Sequence, residues 1–182
     1  MKILIKGNNL SLLAILESQV SFNKLNEKCD KIFGSWKWIA NKGNLGHTYR
    51  IILGWNSNLF DVNLIDFNDQ VIHCKVSFPS NNKYVFCSIV YDANKYIDRR
   101  ALWSSLVLHR GFIRDDPWII GGDFNVTLNL SESFAGSSKI SKGMMEFLEC
   151  VNSLEIQDIN SNGASFQISQ CSYPLSGAEA VS

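Results

Sequence analysis

An excess of positive charge is the first thing this sequence lacks: Lys plus Arg and Asp plus Glu each number 17, so the formal net charge is zero. A module that grips duplex nucleic acid by charge alone carries a basic surplus. The balance therefore argues against tight non-specific DNA binding, while leaving a local contact with a phosphodiester open. No apolar run approaches the ~20 residues that a membrane-spanning helix needs, so no membrane partner is expected. The five cysteines (Cys29, Cys74, Cys87, Cys150 and Cys171) include no CxxC pair and no zinc-ligand spacing. An odd number without a secretion signal fits a reducing, intracellular compartment. Internal repeats and linker-like stretches are also missing, so a single domain is expected. Nothing specifies an oligomeric state.

What is present suits a globular core: 182 residues, 46% hydrophobic and 19% charged. Apolar runs and period-two alternation predict strands near 10–17, 49–55, 59–66, 71–77, 84–91 and 117–123. Leu102 and Leu106, with Trp103 and Val107, are i, i+4 pairs that predict a helix near 97–109, stopped by Gly111, with Asp98, Arg99 and Arg100 on its wet side. Met144, Phe147, Leu148, Val151 and Leu154 predict a second helix near 142–154. Asn23–Ile32 reads as a short helix or loop, Trp36 and Trp38 open a strand, and 41–47 and 130–141 read as loops. Ile156–Asn160 starts a further strand, which returns at Ser165–Ile168.

The most informative stretch is Pro117–Asn129, PWIIGGDFNVTLN. Trp118, Ile119 and Ile120 form an all-apolar run, as in a strand buried on both faces. Gly121 and Gly122 remove side chains where that strand ends, so that a backbone or ligand can come close. Asp123 and Asn125 follow at i, i+2 and point the same way if the chain stays extended. A carboxylate beside a carboxamide can hold a hard cation and a phosphate oxygen together. A strand end followed by a polar turn accounts for a bare Gly-Gly-Asp equally well.

The whole string W-I-I-G-G-D-F-N-V resembles the GDFN signature of the endonuclease/exonuclease/phosphatase superfamily, the DNase I-like fold. It is closer still to the endonuclease domain of plant LINE-type (non-LTR) retrotransposon polyproteins. Leu10–Val20, Tyr49–Asn56, Val85–Leu106 and Phe147–Phe166 resemble further segments of that family in the same order. The resemblance implies a four-layered α/β sandwich of two mostly antiparallel sheets with outer helices. It also implies metal-assisted hydrolysis of DNA phosphodiesters with Mg2+, or Mn2+ in its place, and a nuclear location. It assigns the metal carboxylate to Glu17, the orienting or deprotonating of the attacking water to Asp123, phosphate contacts to Asn125 and Tyr91, and support of the Tyr91 loop to Asn94.

Departures from the family pattern temper these expectations. Ser18-Gln19 replaces the usual Thr-Lys after the metal-binding Glu, and Asp92 adds a negative charge near where a phosphate should lie. The family's first strand with its Asn, and its Arg-Asp and Ser-Asp-His segments, have no counterpart. The expectation is therefore a partial domain over 1–170 with a frayed tail at 171–182, a relic nearly inactive as this chain. The alternative is a non-catalytic protein that keeps the fold to bind nucleic acid or another partner. Residue by residue, plainer readings stand beside these: Glu17 as a solvated strand end, Tyr91 as a strand-end tyrosine with its hydroxyl in water, His47 as a loop histidine, and His73 as structural or superficial.

Overall fold

The structure, a computed structural model, describes residues 10–42, 48–126, 141–158 and 167–171. His47, most of the loop expected at 130–141 and all of the tail expected at 171–182 except Cys171, which ends a strand, lie outside the described residues.

A four-stranded sheet is built around β4 (Thr48–Trp55). β1 (Leu12–Ile15) and β3 (Lys37–Lys42) pair with the same stretch of β4 and so flank it on opposite sides. β2 (Val20–Ser21) continues the β1 side at the other end of β4. Between β1 and β2 the chain leaves the ladder at Leu16–Gln19, with Glu17 and Gln19 both in the left-handed region (φ 49 and 48). A 3-10 turn (Phe22–Lys24) leads into α1 (Leu25–Phe33), whose Leu25, Cys29 and Phe33 repeat at i, i+4 and are buried against this sheet.

The second sheet has the order β5-β6-β7-β8-β10-β9, from β5 (Asp61–Phe67), β6 (Val71–Phe78), β7 (Lys83–Tyr91), β8 (Trp118–Asp123), β9 (Ile156–Asp158) and β10 (Gln167–Cys171). All its pairings are antiparallel except β7 with β8. Parallel neighbours need a crossover, and α2 (Tyr96–Ile113) supplies it. α3 (Lys142–Leu154) packs beside α2, capped by Ser141, whose Oγ accepts from the Met144 N–H at 3.2 Å.

Alternation along the strands makes three buried layers from four structural ones. Ile51 and Leu53 of β4 meet Ile72, Cys74, Val76, Cys87 and Ile89 between the sheets. Ile52 turns the other way, onto α1. Phe86, Val90, Trp118 and Ile120 face Leu102, Leu106 and Phe147 of the outer helices. The order is thus α1, first sheet, second sheet, α2 with α3: a four-layered α/β sandwich.

Two expectations about α2 need correction. Gly111 does not stop it; the helix runs on to Ile113 and closes where the Arg114 N–H donates to the Arg110 carbonyl. Arg99 is not on the wet face: it is 8% exposed and turned towards the exits of β7 and β8. Arg100 does face solvent, paired with Glu146 at 2.6 Å.

Candidate active site

Parallel pairing of β7 with β8 puts Tyr91 directly opposite Asp123 at the strand exits. Register partners on neighbouring strands share a face, so both belong to the side that looks towards the first sheet. The ladder extends one step further, the Asp92 N–H donating to the Asp123 carbonyl at 2.8 Å. Just before it, Gly122 adopts φ 141, a conformation open to glycine, and opposes Val90.

Asn125 is held twice over. Its N–H donates to Asp123 Oδ1 at 2.9 Å, and its Nδ2 donates to the Asp92 carbonyl at 3.0 Å. This local bonding suits the positive φ of 48 that Asn125 adopts, since Asn tolerates the left-handed region better than most residues. Asp123 and Asn125 are both exposed.

From the other sheet comes the excursion that carries Glu17. Ser18 pins it to β4: its N–H donates to the Arg50 carbonyl at 3.1 Å and its Oγ to the Tyr49 carbonyl at 2.6 Å. Ser18 keeps at this position the short hydroxyl that the usual Thr also carries, and the hydroxyl reaches the neighbouring strand. Glu17 is exposed, with Gln19 Nε2 donating to its carboxylate at 3.3 Å. Glu17 also acts across the gap between sheets. Burial raises the Tyr91 hydroxyl above its ordinary pKa, a hydrogen bond from Arg50 opposes the rise, and the Glu17 charge adds to it. Tyr91 is only 9% exposed, with the Arg50 guanidinium 4.5 Å from its ring centroid, so it is not a strand-end tyrosine standing in water.

The loop after Tyr91 is organised by residues that the sequence reading assigned elsewhere or passed over. Asp92 is completely buried and stands 3.3 Å from Arg99 Nε, so its charge is not presented to the site surface. Burial is the largest influence on it and pushes its pKa up to about 7, against the opposing pull of the Ala93 N–H and of Arg99. Arg99 also donates to the carbonyls of Ala93 (2.7 Å), Asn94 (3.2 Å) and Asn125 (2.7 Å), tying the β7 exit to the β8 exit. Gln70 completes the clamp: its carbonyl takes the Tyr91 N–H, its Oε1 takes the Ala93 N–H, and its Nε2 donates to the Asp98 carbonyl. Asn94 is thus fixed by its backbone, and its side chain is exposed.

Tyr91 and Asp123 are thus register partners, Asn125 is bonded to Asp123 and to the Asp92 carbonyl, Glu17 acts on Tyr91 from the first sheet, and Asn94 lies in the loop after Tyr91. Their side chains offer hard oxygen donors and a phenol. Among the described residues no group of three or more His, Cys, Asp or Glu could hold a metal ion. The exposed carboxylates of Glu17 and Asp123 are of the kind that suits Mg2+, which keeps most of its waters and binds through one or two carboxylates plus substrate phosphate. His73 and His109 are elsewhere, stacked 4.0 Å apart on the helix side of the second sheet.

No family model matches this sequence. No curated protein matches it by sequence. Solved structures do resemble it. The endonuclease domain of TRAS1, a telomere-specific non-LTR retrotransposon, superposes with a TM-score of 0.65 at 11% identity, over 93% of this chain and 76% of that one. A mannosyl-6-phosphatase from Bacteroides thetaiotaomicron gives 0.59 at 11% identity, over 92% and 73%. The human Nocturnin catalytic domain gives 0.55 at 13%, over 92% and 71%. The chain has the DNase I-like fold. An endonuclease and a sugar phosphatase share that fold, so the fold alone does not choose a substrate.

Proposed function

From this fold and these residues, we propose that the chain is a phosphodiesterase-type domain derived from a non-LTR retroelement endonuclease, with DNA as partner and the nucleus as its compartment. As a 182-residue polypeptide it keeps cation and phosphate binding with little turnover. The observation that carries the reading is the register of Tyr91 with Asp123 at the exits of β7 and β8.

In this reading Glu17 holds the divalent ion, Mg2+ or Mn2+, which when bound neutralises charge on the phosphate and on the leaving oxygen. Asp123, held in position by its bond from the Asn125 N–H, orients or deprotonates the attacking water. The Asn125 carboxamide and the Tyr91 hydroxyl position the phosphate, and the clamped Asn94 backbone keeps the Tyr91 loop in place. Low turnover is the outcome this reading expects: among the described residues, His73 and His109 are buried against the outer helices and do not serve Asp123. Members of a catalytic unit act non-additively, so one carboxylate does not keep a proportional share of the rate.

Two assays test this. In supercoiled-plasmid nicking with Mg2+ or Mn2+, wild type and Asp123→Ala should give equal background. Robust nicking that vanishes in Asp123→Ala would replace the low-turnover reading with a competent nuclease. In calorimetry, Mn2+ binding should be lost in Glu17→Gln; binding that is indifferent to that change would remove the site itself.

A further inference from the structure

Among the described residues, Arg99, Arg100 and Arg110 each have a carboxylate partner: Asp92 at 3.3 Å, Glu146 at 2.6 Å and Glu155 at 3.9 Å. Arg50 and Arg114 have none, and of these two it is Arg50 that lies against Tyr91 at the candidate site. It rises from the middle of β4, where the next five residues are buried, and is itself only half-buried. Its guanidinium lies 4.5 Å from the centroid of the Tyr91 ring, and Nη2 donates to the Asp92 carbonyl at 3.3 Å. Those two contacts fix the plane of the group. A guanidinium has five N–H donors in a fork that matches a phosphate edge. Hydrogen bonds to the neutral Asp92 carbonyl and to the Tyr91 hydroxyl leave much of that capacity, and the charge, without a carboxylate in ion-pair reach among the described residues.

We infer that Arg50 is a phosphate-binding residue, supplying from the first sheet the cation that meets a DNA phosphodiester oxygen beside Tyr91. The inference rests on the phosphodiesterase reading of the site and extends it to a residue outside that assignment. It also answers a difficulty in the composition. With no net charge to attract DNA, attraction must come from a few placed cations, and a fixed guanidinium is worth more than a free lysine because less freedom is lost on binding. A purely structural account would make Arg50 a strut between β4 and the Tyr91 loop. The two accounts differ in one observable. A strut changes stability, whereas a phosphate contact releases counterions and so sets the salt dependence of binding.

The test is fluorescence anisotropy of a labelled 20-base-pair duplex in EDTA over a salt series, for wild type, Arg50→Gln and Arg50→Lys, each first shown to be folded by its thermal melt. Arg50→Gln should weaken binding roughly 3–10-fold and lower the magnitude of the log K against log salt slope by about 1, the loss of one phosphate contact. Arg50→Lys should weaken binding but keep the slope, because the charge remains and only the fork is lost. An unchanged slope in Arg50→Gln, an equal loss of slope in Arg50→Lys, or no duplex binding by wild type would each overturn the inference. Mn2+ calorimetry on Arg50→Gln separates the two levels: retained metal binding leaves the Glu17 site standing whatever becomes of Arg50.

Discussion

Gly122 leaves no room for a side chain against Val90: a Cβ there would overlap the Val90 carbonyl oxygen and stand 2.7 Å from its carbonyl carbon. The next pair along the same ladder is Tyr91 with Asp123. The close approach of β8 to β7 at this glycine is what sets Asp123 beside Tyr91.

Gly122→Ala should therefore destabilise the protein by about 2–4 kcal/mol, from strain at φ 141 and from the forced separation of two strands. Mn2+ binding should weaken as well. Urea unfolding checks the first and calorimetry the second.

Gly111 makes the opposite case. It lies inside α2 with nothing within 4 Å of an added Cβ. Gly111→Ala should stabilise by roughly 0.5–1 kcal/mol through helix propensity alone and leave cation binding untouched. The same urea curves read it.

Arg99 is paired with a carboxylate that is fully buried. Arg99→Met should cost about 3–5 kcal/mol, much of it from leaving Asp92 without a counter-charge. Asp92→Asn in the same background should recover part of that loss. A double-mutant cycle in urea measures the coupling, and strictly additive losses would show that the pair does not act together.

His109 has a buried Nε2 with no hydrogen-bond partner among the described residues, and burial lowers its pKa to about 4. The folded value lies below the unfolded one, near 6.5. The unfolded chain therefore takes up the proton first, and stability present above pH 6.5 is lost as pH falls towards 4. His73 follows the same sign, with a pKa lowered to about 3 by burial and by His109. His109→Phe keeps the edge contact with Phe86 and the stacking on Phe112 and removes the titration. Its advantage in Tm over wild type should widen by roughly 2–4 °C between pH 7.5 and pH 5; a constant gap would mean that His109 carries no acid sensitivity.

Strands were legible wherever the signal was local. The apolar run Trp118–Ile120 and the alternation from Phe60 to Ile65 each lie on a described strand or at its start. Both helices named in advance are present, with α3 at the expected residues. What escaped the sequence depended on distant partners. Arg99 looks like part of a wet helix face until Asp92 and the two strand exits are placed against it. Asp92 looks like an unwelcome surface charge until its burial is known. Nothing local says that β10 lies between β8 and β9, because strand order is a long-range property. A usable signal did exist for Arg50: a single cation followed by five buried strand residues needs a reason to be there.

The central claim is that Glu17 from one sheet and Asp123 from the other serve a single ion site. Anomalous diffraction from crystals soaked in Mn2+ tests it most directly. The account predicts one peak bonded to the Glu17 carboxylate at roughly 2.1–2.2 Å, on the rim it shares with Asp123, and no such peak in crystals of Glu17→Gln. A peak elsewhere with none at Glu17, or one at Glu17 with the Asp123 carboxylate turned away from it, would contradict the account.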